Sequence, residues 1–318
     1  MTRVALFGCG WIQDFHARGV LAHGDELVAV ANHREESART FAERYDIPRV
    51  TTDWQTLAGD PELDAGIVAT PNALHAPQSI ALLRNGKHVM VEKPMATSVA
   101  ECDDMIEASA AGGARLMVAH CWRFREEVIA MRDRIAAGEL GEVVKTRGYG
   151  VHAGWGPTGW FTVPELAGGG ALVDMGVHAI DTARFLLGDP DATSVCATIG
   201  TRYAEGRYVV DDDGIVLIRW SNGTNSLVES GWWQPHLGGL EADTEVYGTK
   251  GYARIWPPEP PEPPSGTYEH CTQPMYTAQV GAFLDAIATG RQPLPSGEDG
   301  RVVMRIVEEA YRDAREPA

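Results

Sequence analysis

The sequence predicts an α/β chain in two domains, a parallel-sheet domain followed by an α+β domain with an open, mainly antiparallel sheet. Three observations carry this: a length of 318 residues, a strand–helix–strand rhythm in the first third, and a change of texture near Trp122. That length is about twice a common domain, so 1–122 and 123–318 are each expected to bury a core of their own.

The apolar runs VALFG, ELVAVA and AGIVAT alternate with helical stretches, the first reaching Ala22 and the second running from Arg34 to Tyr45. Strands linked by right-handed crossovers come back beside their partners, which gives a parallel sheet covered on both faces. KHVMVEKP and RLMVAH supply further strands, and between them Ser98–Ala111 reads as a helix capped by Thr97 or Ser98. Past Trp122, a helix over Glu126–Ala136 precedes the strands EVVKTRGYGV, ATSVCATIGTR, GIVLIRW, TNSLVESGWW and TEVYG. Ser221-Asn222-Gly223 predicts a tight hairpin, because Asn-Gly accepts positive φ angles. The prolines of Trp256–Gly266 allow neither helix nor central strand and predict an extended surface loop. AQVGAFLDAIATG and VVMRIVEEAYRDA read as closing amphipathic helices.

At 44% hydrophobic and 22% charged, the chain has the composition of a folded protein. It carries 27 Lys plus Arg against 44 Asp plus Glu, and the net charge of −17 repels phosphate backbones and anionic lipid. Nucleic acid and membrane are thus poor partners, whereas a small anionic cofactor held by backbone amides is not excluded. Cys9, Cys102, Cys121, Cys196 and Cys271 are scattered without metal-ligand spacing, and five cannot all pair. Together with a start that runs at once into a strand, this predicts a reduced, cytoplasmic protein with no metal.

Gly8-Cys9-Gly10 follows the first strand and opens the first helix, the place where glycines let backbone N–H groups approach a pyrophosphate. The position predicts a Rossmann-type dinucleotide site. Gln13 stands at the third fingerprint position, where it either alters helix–strand packing or turns its amide to the cofactor. The second strand ends at Asn32 rather than at an acid, and Asn32-His33-Arg34 tilts the expectation from NAD toward the 2′-phosphate of NADP. Arg34 could equally be a solvated first-turn residue.

Val91-Glu92-Lys93-Pro94 sets a lysine at the C-terminal end of a strand, the edge at which open α/β sheets bind ligands. Its ammonium could stabilise charge on a reacting oxygen, or merely pair with Glu92 or cap a helix. Gly168-Gly169-Gly170 leads into a helix on which Asp174 and His178, at i and i+4, share a face, with Asp181 one turn on. A carboxylate beside an imidazole suits general acid–base chemistry, and no third residue at a recognisable spacing suggests a metal.

GCGWI, ATPN, VEKP and GGGALVDMGVHAID together resemble the Gfo/Idh/MocA family of sugar and polyol oxidoreductases over nearly the whole chain, with TEVYGTKGYARI and Ala278–Tyr311 in keeping. The resemblance implies a catalytic set in which Lys93 contacts the substrate hydroxyl and the nicotinamide ribose, Asp174 binds substrate and His178 takes the hydroxyl proton. It implies cofactor contacts from Gly8, Gly10, Trp11, Ile12, Asn32, His33, Arg34, Thr70, Pro71, Asn72, His75, Glu92 and Lys93. Arg123 and Trp160 join the substrate side, and the second sheet implies a homodimer or homotetramer. Trp155, Trp232, Trp233, His152 and His236 are either sugar-lining or core and interface residues. Gln13, Asn32 and His120-Cys121-Trp122 depart from the family pattern. Two competing readings keep the fold: a reductase of a non-sugar acceptor, which the Lys/Asp/His set argues against, and a cofactor-binding regulator without turnover, which would predict decay at Lys93 or His178.

Overall fold

A computed structural model describes residues 1–235, 241–256 and 271–315. His236 and the Pro-rich segment beyond Trp256 lie outside the described residues.

The chain divides into two units. The first comprises Met1–Cys121 and Cys271–Arg301, and the second Trp122–His270 and Val302–Ala318. A single cut after residue 122 therefore misplaces 271–301.

In the first unit the strands are β1 (Arg3–Phe7), β2 (Glu26–Ala31), β3 (Arg49–Thr51), β4 (Ala65–Val68), β5 (His88–Glu92) and β6 (Leu116–Ala119). They form one sheet in the order β3-β2-β1-β4-β5-β6, parallel throughout. The apolar runs explain this, since strands covered on both faces need no alternation, and Val4–Phe7 is fully buried. The helices are α1 (Trp11–His23), α2 (Glu35–Tyr45), the single turn α3 (Gln55–Ala58), α4 (His75–Arg84) and α5 (Val99–Gly112). Ser98 caps α5 by accepting a hydrogen bond from the Glu101 amide.

The second unit begins with α6 (Glu126–Ala136) and carries β7 (Val143–Ala153), the short α7 (Pro164–Ala167), α8 (Val177–Leu186), β8 (Ala192–Gly200), β9 (Asp213–Trp220), β10 (Asn225–Gln234), β11 (Ala242–Gly248) and β12 (Gly251–Arg254). Its sheet runs β12-β11-β7-β10-β9-β8. Most neighbours are antiparallel, but β7 and β10 pair in parallel. The hairpin falls at Ser221-Asn222-Gly223, where the sequence predicts it. Trp220 N–H donates to the Thr224 carbonyl across these three residues, and of the Asn-Gly pair only Gly223 takes positive φ.

Helix α9 (Gln273–Thr289) belongs to the first unit, where it lies on α1. The two helices approach so closely that a Cβ added at Gly19 would stand 2.9 Å from Val280 Cγ2. The following residues extend the same unit at β6, where Val118 N–H donates to the Pro295 carbonyl. Of α10 (Gly297–Asp313), the residues through Arg301 group with the first unit and the rest with the second.

A helix-bearing layer also covers the second sheet, and one glycine sets its distance. The carbonyl of Met175 comes down on Gly150 of β7, where an added Cβ would stand 2.3 Å from the oxygen. Only glycine admits that approach.

Candidate active site

In the first unit the candidate residues gather at the C-terminal edge of the parallel sheet, around the point where strand order reverses between β1 and β4. Gly8 has φ +98°, and a Cβ there would lie 2.4 Å from the Ala69 carbonyl oxygen, so the turn after β1 nests against the loop after β4. An added Cβ at Gly10 would meet nothing within 4 Å. Gly10 begins α1 with extended backbone and no side-chain cap. Open space before an uncapped helix start is a place a pyrophosphate fits, with Gly8, Gly10, Trp11 and Ile12 around it.

Gln13 resolves toward packing. It is fully buried, and its Nε2 donates to the Ile67 carbonyl of β4 at 3.3 Å, tying α1 to the sheet. At the end of β2, Asn32 Nδ2 donates to the Arg34 carbonyl at 3.1 Å, which shapes the turn and leaves the His33 and Arg34 side chains exposed. Thr70 Oγ1 donates to Gln78 Oε1 at 2.8 Å, while Pro71 is half-buried and Asn72 buried.

His75 holds backbone in place, a task the sequence did not suggest. Its buried ring lies 2.8 Å from the Pro94 carbonyl through Nδ1 and 2.9 Å from the Thr70 carbonyl through Nε2, bridging the loops after β4 and β5. Burial pulls its pKa below the ordinary histidine value although both carbonyls favour protonation.

Glu92 and Lys93 follow on β5. Glu92 Oε1 is 2.8 Å from His16 Nε2, and its Oε2 accepts from the Lys93 amide at 3.1 Å. Burial opposes its ionisation, but the bond to His16 and the charge of Lys93 outweigh it and hold the carboxyl below the usual range. Lys93 itself is half-buried.

The second unit holds Asp174 and His178, and the helix carrying them differs from expectation. Leu172–Gly176 forms a π-helical turn, and α8 begins only at Val177. The helix is wider through Asp174 than the α-helix that carries His178. Asp174 Oδ2 accepts from His152 Nε2 of β7 and from Trp232 Nε1 of β10, both at 3.0 Å. Trp232 stands at a β-bulge in the β7–β10 pairing, where Trp233 takes φ +63°. The His178 ring stacks on Trp122 at 4.5 Å and 17°.

Two of the three glycines before Asp174, Gly169 and Gly170, are packing requirements. Asp211 accepts from the Gly170 and Leu172 amides at 2.8 and 2.9 Å and from the Tyr311 hydroxyl at 2.6 Å. A Cβ at Gly170 would stand 1.9 Å from the Asp211 carbonyl oxygen, and one at Gly169 would stand 2.4 Å from the Tyr311 hydroxyl.

Arg123 is buried in an ion pair. Its Nε and Nη2 engage Asp181 at 2.6–3.1 Å, and its Nη1 lies 3.0 Å from Asp189. Asp181 is thus engaged by Arg123, whose guanidinium bridges it to Asp189. Trp160 is half-buried and stacked on Phe161 at 3.9 Å. Trp232 is fully buried and anchors Asp174, so it is not a sugar platform. Trp233 lies 4.6 Å under the Arg207 guanidinium. Among the described residues, no group of three or more His, Cys, Asp or Glu could hold a metal ion.

Residues 2–120 match the model described as "Oxidoreductase family, NAD-binding Rossmann fold", and residues 128–254 match the Gfo/Idh/MocA C-terminal domain. The chain is 31% identical to a 1,5-anhydro-D-fructose reductase of Ensifer adhaerens, over 94% of this chain and 92% of that protein. The chain belongs to the Gfo/Idh/MocA oxidoreductase family. Among solved structures, GenD2 from gentamicin A biosynthesis in complex with NAD superposes with a TM-score of 0.88 at 28% identity, over 99% of this chain and 94% of that one. Levoglucosan dehydrogenase in complex with NADH and levoglucosan gives 0.84 at 26% identity, over 98% and 97%.

In this Gfo/Idh/MocA member the sequence reading missed His16 and Glu241 and named His152 only as a sugar-lining or core residue, because their partners lie far away in the sequence. Trp122 was visible as part of CWRF, but nothing local shows that it stacks on His178.

The buried ion pair gives a direct test of its structural role. Replacing Arg123→Ala leaves Asp181, 1% exposed, buried without this partner, and should cost about 3–5 kcal/mol. Urea denaturation midpoints of the two proteins measure it.

Proposed function

We propose that this chain is an NAD(P)-dependent dehydrogenase or reductase that transfers a hydride between nicotinamide and a carbinol or carbonyl carbon of a sugar, cyclic polyol or sugar derivative. The observation that carries the reading is Asp174, a carboxylate buried at 8% exposure yet held by two fixed donors, four residues before an imidazole stacked flat on Trp122. Buried charge kept in this way is characteristic of sites that recognise polar ligands. The names of the relatives point to the same substrate class.

Bound nicotinamide would supply the hydride donor or acceptor. Gly8, Gly10, Trp11 and Ile12 would hold its pyrophosphate, Asn32, His33 and Arg34 the adenosine ribose, and Thr70, Pro71, Asn72, Glu92 and Lys93 the nicotinamide half. His75 supports that half by fixing the backbone of Thr70 and Pro94. In oxidation His178 takes the substrate hydroxyl proton while the Lys93 ammonium steadies the charge that grows on the oxygen. Asp174 accepts from a neighbouring hydroxyl and fixes which carbon reacts. In reduction the proton moves the other way. Trp160 offers an aromatic face for the C–H side of a sugar ring.

The exposed, basic Arg34, two residues past the Asn32 that stands where the fingerprint has an acid, supports NADP over NAD. The two solved relatives above carry NAD or NADH, and this chain's preference rests on Asn32-His33-Arg34 alone. A second copy of the chain is the proposed partner. Ile215 and Leu217 of β9, with Tyr252 of β12, put large apolar side chains 44–50% exposed on the sheet of the second unit. We also place the protein in the reducing cytoplasm, in keeping with five cysteines none of which is in a disulfide.

Turnover of a panel of sugars and inositols, followed at the nicotinamide absorbance band, tests the chemistry. His178→Ala should lower kcat about 100- to 10,000-fold and Lys93→Ala about 100- to 1,000-fold, and full turnover in both variants would sink the assignment. Fluorescence titration of Arg34→Ala should weaken NADPH binding about tenfold and spare NADH; equal losses would refute the NADP preference. Sedimentation should find the wild type as a dimer or tetramer and Leu217→Asp shifted to a smaller species, whereas a monomeric wild type rules the interface out.

A further inference from the structure

His152 is 3% exposed and lies on β7 with its two nitrogens toward different carboxylates. Nε2 is 3.0 Å from Asp174 Oδ2, and Nδ1 is 3.4 Å from Glu241 Oε1. Trp155 completes the arrangement twice over. Its indole N–H donates to that same Glu241 oxygen at 2.6 Å, and its ring packs on the imidazole at 3.8 Å. Among the described residues the groups facing His152 come from three elements: Asp174 from the π turn, Glu241 from the lead-in to β11, and Trp155 from the loop after β7. On the neighbouring strand β10, Trp232 donates to the Asp174 oxygen that His152 meets.

A neutral imidazole has one N–H and can serve one carboxylate; an imidazolium has two and serves both. With the buried Asp174 and the half-buried Glu241 flanking it, a neutral ring would leave one of them without that donor. We infer that His152, kept as an imidazolium by Glu241 and Trp155, is the positioning residue that fixes the Asp174 carboxylate for a substrate hydroxyl. The inference deepens the proposed function and rests on the substrate-binding role given there to Asp174. Burial pulls the His152 pKa down, but the two carboxylates prevail and leave it above the ordinary histidine value.

The consequence is a division of labour. His152 touches no reacting atom; it acts on how tightly substrate is held. As pH rises through the folded-state value, the ring loses one proton, one carboxylate loses its donor, and substrate binding weakens while the chemical step does not.

The full chain, labelled with 15N at histidine, provides a readout independent of activity. The His152 nitrogens should both report as protonated at neutral pH, titrate above the ordinary value, and titrate about one pH unit or more lower in Glu241→Gln. With a sugar that the wild type turns over, His152→Asn and Glu241→Gln should raise KM about tenfold or more and leave kcat within about threefold, as expected for loss of a hydrogen bond to a charged group. A His152 that is neutral at pH 7, a titration unmoved by Glu241→Gln, or a loss confined to kcat overturns the inference. The wild-type and Glu241→Gln titrations decide the matter even where His152→Asn does not fold. Asp174→Asn separates the two levels: unchanged KM and kcat in that variant would remove the substrate role of Asp174 while the His152 titration still stood.

Discussion

A carboxylate withdrawn from water must be met by donors already fixed in place, and in the second unit the burial of Asp174 sets the terms for what surrounds it. The donors come from two neighbouring strands, β7 and β10, which lie side by side because they pair in parallel. The acceptor comes from a helical turn that reaches those strands because Gly150 lets the Met175 carbonyl settle on the sheet. Gly169 and Gly170 are the upstream end of the same constraint, since they let Asp211 and Tyr311 grip the start of that turn.

The first unit answers the same problem in another way. Glu92 is buried beneath Lys93, and its partner is an imidazole from α1, the helix that begins at the phosphate turn. One hydrogen bond thus joins the helix that follows the glycine turn to the strand end that carries Lys93. Gln13 makes a second tie from α1 to β4. The departure from a small residue at that position is accommodated by an amide that hydrogen-bonds the sheet it would otherwise crowd.

What could be read in the sequence was local. The strand ends, the glycine turn, the Ser98 cap and the position of the β9–β10 turn each depend on a few consecutive residues whose chemistry dictates the backbone. What could not be read depends on which strands become neighbours. His16 and Glu92 are 76 positions apart, and Trp232 and Asp174 are 58 apart; no periodicity connects them. Arg123 is a further case. The motif around it is recognisable, but nothing local shows that its guanidinium pairs with Asp181, 58 positions away. The return of 271–301 to the first unit was hidden for a similar reason, because an amphipathic helix does not declare which surface it will cover.

The π turn at Leu172–Gly176 makes the relation between Asp174 and His178 a matter of phase as well as of count. A π turn is an α-helical turn that has taken in one extra residue, and each residue of an α-helix turns the chain by about 100°. The turn thus takes up its extra residue locally, and the segment before it keeps the phase of an unbroken α-helix. Deleting one residue between Asp174 and His178 would let the helix run on as regular α, with the carboxylate three places before the imidazole instead of four. The arrangement of the site therefore depends on a residue count as well as on residue identities.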